Sequence, residues 1–431
     1  MAASTRQTNL LVQEDWKKIY ESFQNADFQS YDFETLRKSM IEYIKTYYPE
    51  DFNDFVESSE YIALIDLIAF LGQALAFRAD LNARENFIDT AERRDSVLKL
   101  AKLVGYYPKR NIPASGLLRI EAVSTSETLY DSNGLDIANL TIQWNDGAND
   151  MWEEQWNSIM NAAFINSQTV GFPGNTQDIA GIRTEEYSVN LLPNIIPAFK
   201  FQNVIEGSNM DFEIVSATSA GQAYLYERDP IPSRIFNLLY RNDNLGNDSN
   251  NTGWFVHFKQ GSVDTIDFTI TDSLPNRTVA INVNNINNTD VWLYKLDSTG
   301  TPVEKWSVVP AVNGTNIIYN TSVERNIYQV NTRANDQIDL VFGDGAFANI
   351  PIGSFRLYYR TSNGLNYKVT PEELQAIQIP ITYVSRSGRA ETVTIRASLH
   401  YTVNNASARE TLEEIKSKAP QEYYTQNRMV T

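Results

Sequence analysis

The side chains that most often carry chemistry are scarce in this chain. It has two histidines, His257 and His400, and no cysteine in 431 residues. Without thiols there is no Cys nucleophile, no disulfide and no thiolate metal site. Neither histidine has a second His or Cys at metal-ligand spacing, so each is expected to be structural. A Ser-His-Asp triad would have to assemble in three dimensions, and no Gly-x-Ser-x-Gly elbow supports one. The adjacent acids Glu153-Glu154 and Glu413-Glu414 are what chance gives in a chain with 53 carboxylates. Neighbours on a helix point in different directions, whereas a glycosidase pair must converge on one cleft. The run Asn242-Asp243-Asn244-Leu245-Gly246 lacks the alternating acids and distal Glu of a calcium loop and reads as a solvated turn.

Phe342-Gly343-Asp344-Gly345 superficially looks like a phosphate loop, but no Gly-Lys-Ser/Thr follows and no helix pattern comes after it. It reads instead as a device for shaping backbone. A strand at 338–342 ends there, Asp344 bonds back to the chain, and Gly345 takes a positive φ. Pro351 and Gly353 make a second turn, and Phe355, Leu357 and Tyr359 then alternate on one face of a returning strand. The expectation is therefore no enzyme, no cofactor and no metal.

The elements that carry these residues follow from periodicity. Trp16, Ile19, Tyr20 and Phe23 are spaced as one helix face. Leu36, Met40, Tyr43, Ile44 and Tyr47 repeat the spacing, ending before Pro49. A third helix starts near Ser58 or Ser59 and runs to about Arg84. A fourth follows Asp89, with Glu92 in the capping-box position and Gly105 as its left-handed stop. After Pro113 the texture becomes short alternating segments with turn residues, which predicts strands. Among them are 265–271, 279–283, 291–296, 354–360 and 392–399. A helix is inserted at 151–163 and a polar loop at 242–253. Helix returns at Ser407, capped with Glu410, and stops near Lys418 before Pro420. The fold class predicted is α+β: a helical region (1–112), a β-rich middle with an inserted helix (113–335), a β-domain with the Gly-Asp-Gly turn (336–405) and the start of a further helical segment (406–431).

The net charge of −17 repels phosphate backbones and argues against nucleic acid. No basic n-region precedes an apolar core at the start, so no secretory signal is read there. The most apolar stretch, 61–77, is short for a membrane span and is broken by Asp66, Gly72 and Gln73. As a helix, it puts Leu64, Leu67, Ile68, Leu71 and Leu75 on one broad face, with Ile62, Ile65, Ala69 and Ala76 spread over the others. A helix apolar nearly all round is expected to be buried nearly all round. The cover is either the β-rich part of the same chain or a second chain, and the latter makes this region an oligomer interface.

The run 61–71, then Phe77-Arg78, Asn82, Asn86-Phe87-Ile88-Asp89-Thr90-Ala91, Arg94-Asp95-Ser96-Val97 and Leu103-Val104-Gly105-Tyr106, resembles the helical N-terminal part of baseplate wedge proteins of contractile-tailed bacteriophages. These are similar to the broader baseplate-J-like family. The series Phe342-Gly343-Asp344-Gly345, Ile350-Pro351, Gly353, Tyr359-Arg360 and Gly364 resembles that family's β-domain motif, although Ala346-Phe347-Ala348 stands where a Gly is usual. The stretch 239–244, with 250–253 and 258–261, narrows the resemblance to the T-even type. Ala419-Pro420, Tyr423 and Gln426-Asn427-Arg428 resemble the start of the family's next segment, and the chain stopping at Thr431 reads as truncated. The resemblance implies a virion structural subunit assembled in the host cytoplasm. It implies that two copies of the chain bundle helices with another wedge subunit. It also implies contacts with inner-ring and sheath-initiating baseplate proteins, and a rearrangement that triggers sheath contraction. A receptor- or carbohydrate-binding tail protein, recognisable by exposed aromatic platforms, is the alternative.

Overall fold

The structure is a computed structural model and describes residues 32–47, 60–170, 182–218, 225–310, 324–346 and 348–426. The fold is α+β. The described helices are α1 (Phe33–Tyr47), α2 (Glu60–Arg84), α3 (Arg94–Leu103), α4 (Trp152–Ala163) and α5 (Leu412–Gln426). The helix expected at 16–23, and the starts expected at Ser58 or Ser59, lie outside the described residues. The chain divides into two compact units, Met1–Tyr107 with Thr411–Thr431, and Pro108–Glu410.

In the first unit, α1 packs on α2, and α3 shares a small core with α5. Val97, Leu98 and Ala101 of α3 are buried with Ile415 and Ala419 of α5. Two caps differ from expectation. Asp89 does not cap α3; the Glu85 carboxylate, just past the end of α2, accepts the N–H groups of Glu92 and Arg93 instead. An acid reaching forward from a neighbouring helix thus satisfies donors that a local cap would otherwise serve. At α5 the capping box is Thr411 with Glu414, whose carboxylate accepts the Thr411 N–H while the Glu414 N–H donates to Thr411 Oγ1. Glu410 instead accepts the Lys109 N–H at 3.0 Å. The helix also runs through Pro420 to Gln426. Burial of Ile415 and Ala419 one turn apart offsets the lost donor that would otherwise stop a helix. Gly105 takes φ +82° after α3, as its type predicts.

The second unit is built on two large sheets and a two-stranded ladder. Its first ten strands in chain order are β1 (Ser115–Thr125), β2 (Ile142–Gln143), β3 (Ile165–Val170), β4 (Arg183–Asn190), β5 (Ala198–Ile205), β6 (Ser208–Val215), β7 (Ala217–Thr218), β8 (Tyr226–Glu227), β9 (Ile235–Asn242) and β10 (Gly253–Gln260). Then come β11 (Ser262–Ile270), β12 (Thr278–Ile281), β13 (Ile286–Leu296), β14 (Pro302–Val308), β15 (Ile327–Thr332), β16 (Ile338–Phe342), β17 (Gly353–Thr361), β18 (Ile377–Val384) and β19 (Ala390–Ser398). The first sheet runs β18-β19-β1-β10-β9-β4-β3, with β2 on β1 and the β5–β6 hairpin on β10. The second runs β11-β17-β13-β14-β15-β16-β12, and the ladder is β7 with β8. The boundary expected at 335/336 falls inside this second sheet, where β15 pairs with β16 from Tyr328–Phe342 to Thr332–Ile338.

Each sheet has its own apolar core. The first gathers Leu118 and Ile120 of β1, Val256 and Phe258 of β10, and Trp156, Ile159 and Met160 of α4. Trp144 meets Trp156 edge-on at 5.1 Å, and aromatic packing of this kind adds to area burial. The second core gathers Leu293, Trp306, Phe342, Phe355, Leu357 and Tyr359. Phe355, Leu357 and Tyr359 thus share the face their alternation predicts, but Tyr358 and Arg360 on the other face are buried as well.

Candidate assembly surface and buried charge cluster

α2 is apolar nearly all round, and among the described residues α1 covers it on one side. Ile62, Ile65 and Ala69 are buried. They share that side with Asp66 and Gly72, where α1 lies. Arg37 Nε donates to Asp66 Oδ1 at 2.6 Å, and a Cβ on Gly72 would stand 3.1 Å from Leu36 Cδ1. On the opposite side Leu64, Leu67, Ile68, Leu71 and Leu75 are between 50% and 66% exposed, flanked by exposed Phe70 and Phe77. Burial on all sides, expected from the composition of the helix, is therefore not met among the described residues of this unit, where α1 covers one side. The spacing of Leu64, Ile68, Leu71 and Leu75 is four, three and four residues, the seam spacing by which helices pack knobs into holes. Among the described residues, Ile62–Arg84 is long and apolar enough to cross a membrane by length and composition. Asp66, which pairs with Arg37 of α1, lies within that span.

The Gly343–Gly353 loop has the shape its residues predict. Asp344 Oδ1 accepts the Ala346 N–H at 2.9 Å, Gly345 has φ +90° and Gly353 φ +111°. Arg325 Nη2 donates to the Gly345 and Ala346 carbonyls. Pro351 is buried between the two turns. Ala348 fills the space against Gly343: a Cβ there would come within 2.2 Å of Ala348 Cβ. Gly343→Ala is expected to cost about 1–3 kcal/mol through overpacking. An unchanged urea midpoint would show that the turn can open to admit a methyl group.

A group that sequence reading did not anticipate lies between the two sheets. Arg360 of β17 is fully buried. Its Nη1 and Nη2 donate to the Glu227 carboxylate at 2.5 and 2.6 Å. Its Nε and Nη2 donate to Glu213 Oε2 at 3.1 Å. Lys259 Nζ bonds Asp290 Oδ1 and Glu227 Oε2, the latter at 3.2 Å. Asp290 Oδ2 accepts from Asn287 Nδ2 at 3.0 Å. Three carboxylates thus face two cations. Burial opposes the charge on Arg360, but Glu227, Asp290 and Glu213 outweigh it and hold its pKa above the ordinary arginine value. Burial likewise opposes ionisation of Asp290, yet Lys259 and Arg360 hold that carboxyl at about 2. For Glu213 burial prevails over Arg360 and raises the pKa. The signal in the sequence was an alternation broken by charge: Glu213 between Phe212 and Ile214, and Arg360 after Tyr358-Tyr359.

His257 and His400 are not brought into a catalytic arrangement with a serine among the described contacts. His400 Nε2 lies 3.3 Å from Glu121 Oε1. His257 neighbours the charge cluster, and burial, then Lys259, lowers its pKa from 6.5 to about 4. Its proton is therefore bound more readily by the unfolded chain. The stability this contributes is complete above about pH 6.5 and is lost as pH falls through about 4, amounting to about 3 kcal/mol. His257→Phe should flatten that part of the pH dependence. Urea midpoints at pH 7, 5.5 and 4 check this, and equal slopes in both proteins would count against it. Among the described residues no group of three His, Asp or Glu is placed to hold a metal ion.

Two family models match the chain. One, described as bacteriophage baseplate protein, N-terminal domain, matches residues 32–103, the stretch that contains α1, α2 and α3. It supports a phage baseplate protein with a structural role in the virion tail. No curated protein matches the chain. The other model, described as a domain of unknown function, matches residues 116–402, which runs from within β1 to beyond the end of β19. Because this match spans more than half of the 431 residues, the chain belongs to the DUF8360 family.

Proposed function

We propose that this chain is a wedge subunit of a T-even-type contractile-tail baseplate. It scaffolds wedge assembly and the inner baseplate ring, and it relays the rearrangement that triggers sheath contraction. It does so as a structural protein, not as an enzyme. One observation carries the reading: the exposed apolar face of α2, in a segment similar to a baseplate N-terminal domain. Several large apolar side chains lie side by side there, and a lone soluble chain rarely leaves so large a patch in water. The occupants are helices of a second copy and of other wedge subunits. Inner-ring and sheath-initiating proteins contact the assembled wedge. Packing between preformed surfaces, able to shift as a body, is the mechanism such a part uses.

A sugar-binding reading calls for exposed aromatic platforms, and the exposed aromatics of the β-rich unit among the described residues are tyrosines, such as Tyr130 and Tyr401. Among the described residues no tryptophan is exposed. Tyr187 and Tyr240 both pack against the ring of Trp254. Sedimentation velocity of the full chain over a hundredfold range of concentration tests the proposal. A dimer, or larger species resolved by a co-expressed wedge partner, is the expected result. A monomer at every concentration, with no capture of a wedge partner, would overturn it.

A further inference from the structure

We infer that the joint between the two large sheets of the second unit is a hinge held shut by buried charges, on which the second sheet, β11 to β17, tilts as one body. The inference is independent of the assembly reading. The second sheet, β11 to β17, is one uninterrupted run of chain inserted between β10 and β18 of the first sheet. The chain passes between the sheets at two places, and these lie side by side, because Ser262 pairs with Thr361. A glycine marks each crossing. Gly261 has φ +108° and Gly364 φ +69°. A Cβ on Gly261 would stand 2.3 Å from the Thr361 carbonyl oxygen. Hinges concentrate their backbone change in a few such residues.

What fills the joint is polar. The apolar cores of the two sheets are separate clusters. Between them Arg360 and Asp290, from the inserted run, meet Glu213, Glu227 and Lys259 from the rest of the unit. Beside them Arg110 donates to the carbonyls of Ile286, Asn287 and Asn288. Asn111 Nδ2 donates to Asn287 Oδ1 and Ser362 Oγ at 2.6 Å each. Buried ion pairs hold a geometry without contributing the stability that an apolar core of the same volume would. Polar contacts between parts of one chain leave relative motion as the ordinary outcome. A joint with directional partners has distinct made and broken states rather than a continuous range.

The test uses the cysteine-free full chain. Spin labels are placed at Leu245→Cys, on the exposed loop after β9, and at Ser298→Cys, on the exposed turn after β13. Pulsed electron resonance then compares the otherwise unaltered chain with Asp290→Asn/Glu213→Gln. One narrow distance is expected in the former. A second distance, holding at least a tenth of the molecules, is expected in the latter, with unchanged hydrogen exchange in strands 236–241 and 355–359. An unchanged distance, or loss of protection throughout both cores, overturns the hinge. Should the double variant not fold, native-state exchange of the unaltered chain decides. The seam amides are Val263, which donates to Glu213 Oε1, Arg110, which donates to Asn288 Oδ1, and Asn288, which donates to the Asn111 carbonyl. They should exchange at least tenfold faster than the core strands. Exchange together with the cores overturns the inference.

Discussion

Arg360→Met lowers the unfolding free energy of the full chain by about 3–5 kcal/mol, the usual cost of removing one partner from a buried ion pair. Methionine fills much of the same volume, so little of this loss comes from packing. It comes from Glu213 and Glu227, which lose the guanidinium that accounts for most of their charge-assisted bonds. Lys259 remains, but it already serves Asp290 and Glu227. Arg360→Lys should recover only part of the loss, since an ammonium cannot grip two carboxylates with a planar fork. Neutralising the acids as well, in Arg360→Met/Glu213→Gln/Glu227→Gln, should restore stability relative to the single change. Urea unfolding followed by tryptophan fluorescence measures all three. A single-variant loss below about 1 kcal/mol would mean that water reaches the cluster and screens it.

The second large effect belongs to α2. Ile68→Glu/Leu71→Glu should weaken association by at least about a hundredfold, given roughly 1.5–3 kcal/mol for each large side chain buried in a contact. The same pair should leave the thermal transition of the dilute chain within about 2 °C, because both side chains are exposed in the single chain and surface changes are normally mild. That contrast is what makes the experiment decisive. Were α2 simply core, the charges would unfold the first unit; were its outer face idle, sedimentation would not change. Ala69→Glu, on the covered side, is the control that should unfold.

How much was legible depended on whether the deciding physics was local. The strand at 338–342, the turn at Gly345 and the face shared by Phe355, Leu357 and Tyr359 follow from φ preferences and a period of two, and all are local. The apolarity of α2 was legible too, but not which side is covered. That is set by Leu36 and Arg37, some thirty residues away in sequence. The caps of α3 and α5 were misplaced because Ser, Thr, Asp and Glu are frequent near helix starts and several can compete. Glu85 and Thr411 prevailed through geometry that no spacing rule contains. The charge cluster was least legible. Its members come from five strands, and the contacts of Arg360 reach 147 residues back to Glu213 and 133 back to Glu227. A lone Arg or Glu in a strand pattern ordinarily reads as a solvent-facing residue, and nothing nearby in sequence names its partner.

The order of strands in the first sheet also sets a schedule for synthesis. β1 sits at the middle of that sheet between β10 and β19, and next to β1 the Thr392 N–H bonds Ser126 Oγ across 266 residues of chain. A ribosome adding about 5–20 residues per second takes roughly a quarter of a minute to a minute to cover that distance. Throughout that interval one edge of β1 is an open hydrogen-bonding template, with Leu118, Ile120 and Val123 not yet fully covered. The intervening insertion is complete by Thr361 and can close on its own while the edge waits. The nascent chain is therefore prone to aggregation until β19 is made, and slowing the ribosome anywhere between 126 and 392 should lower soluble yield more than slowing it after 398.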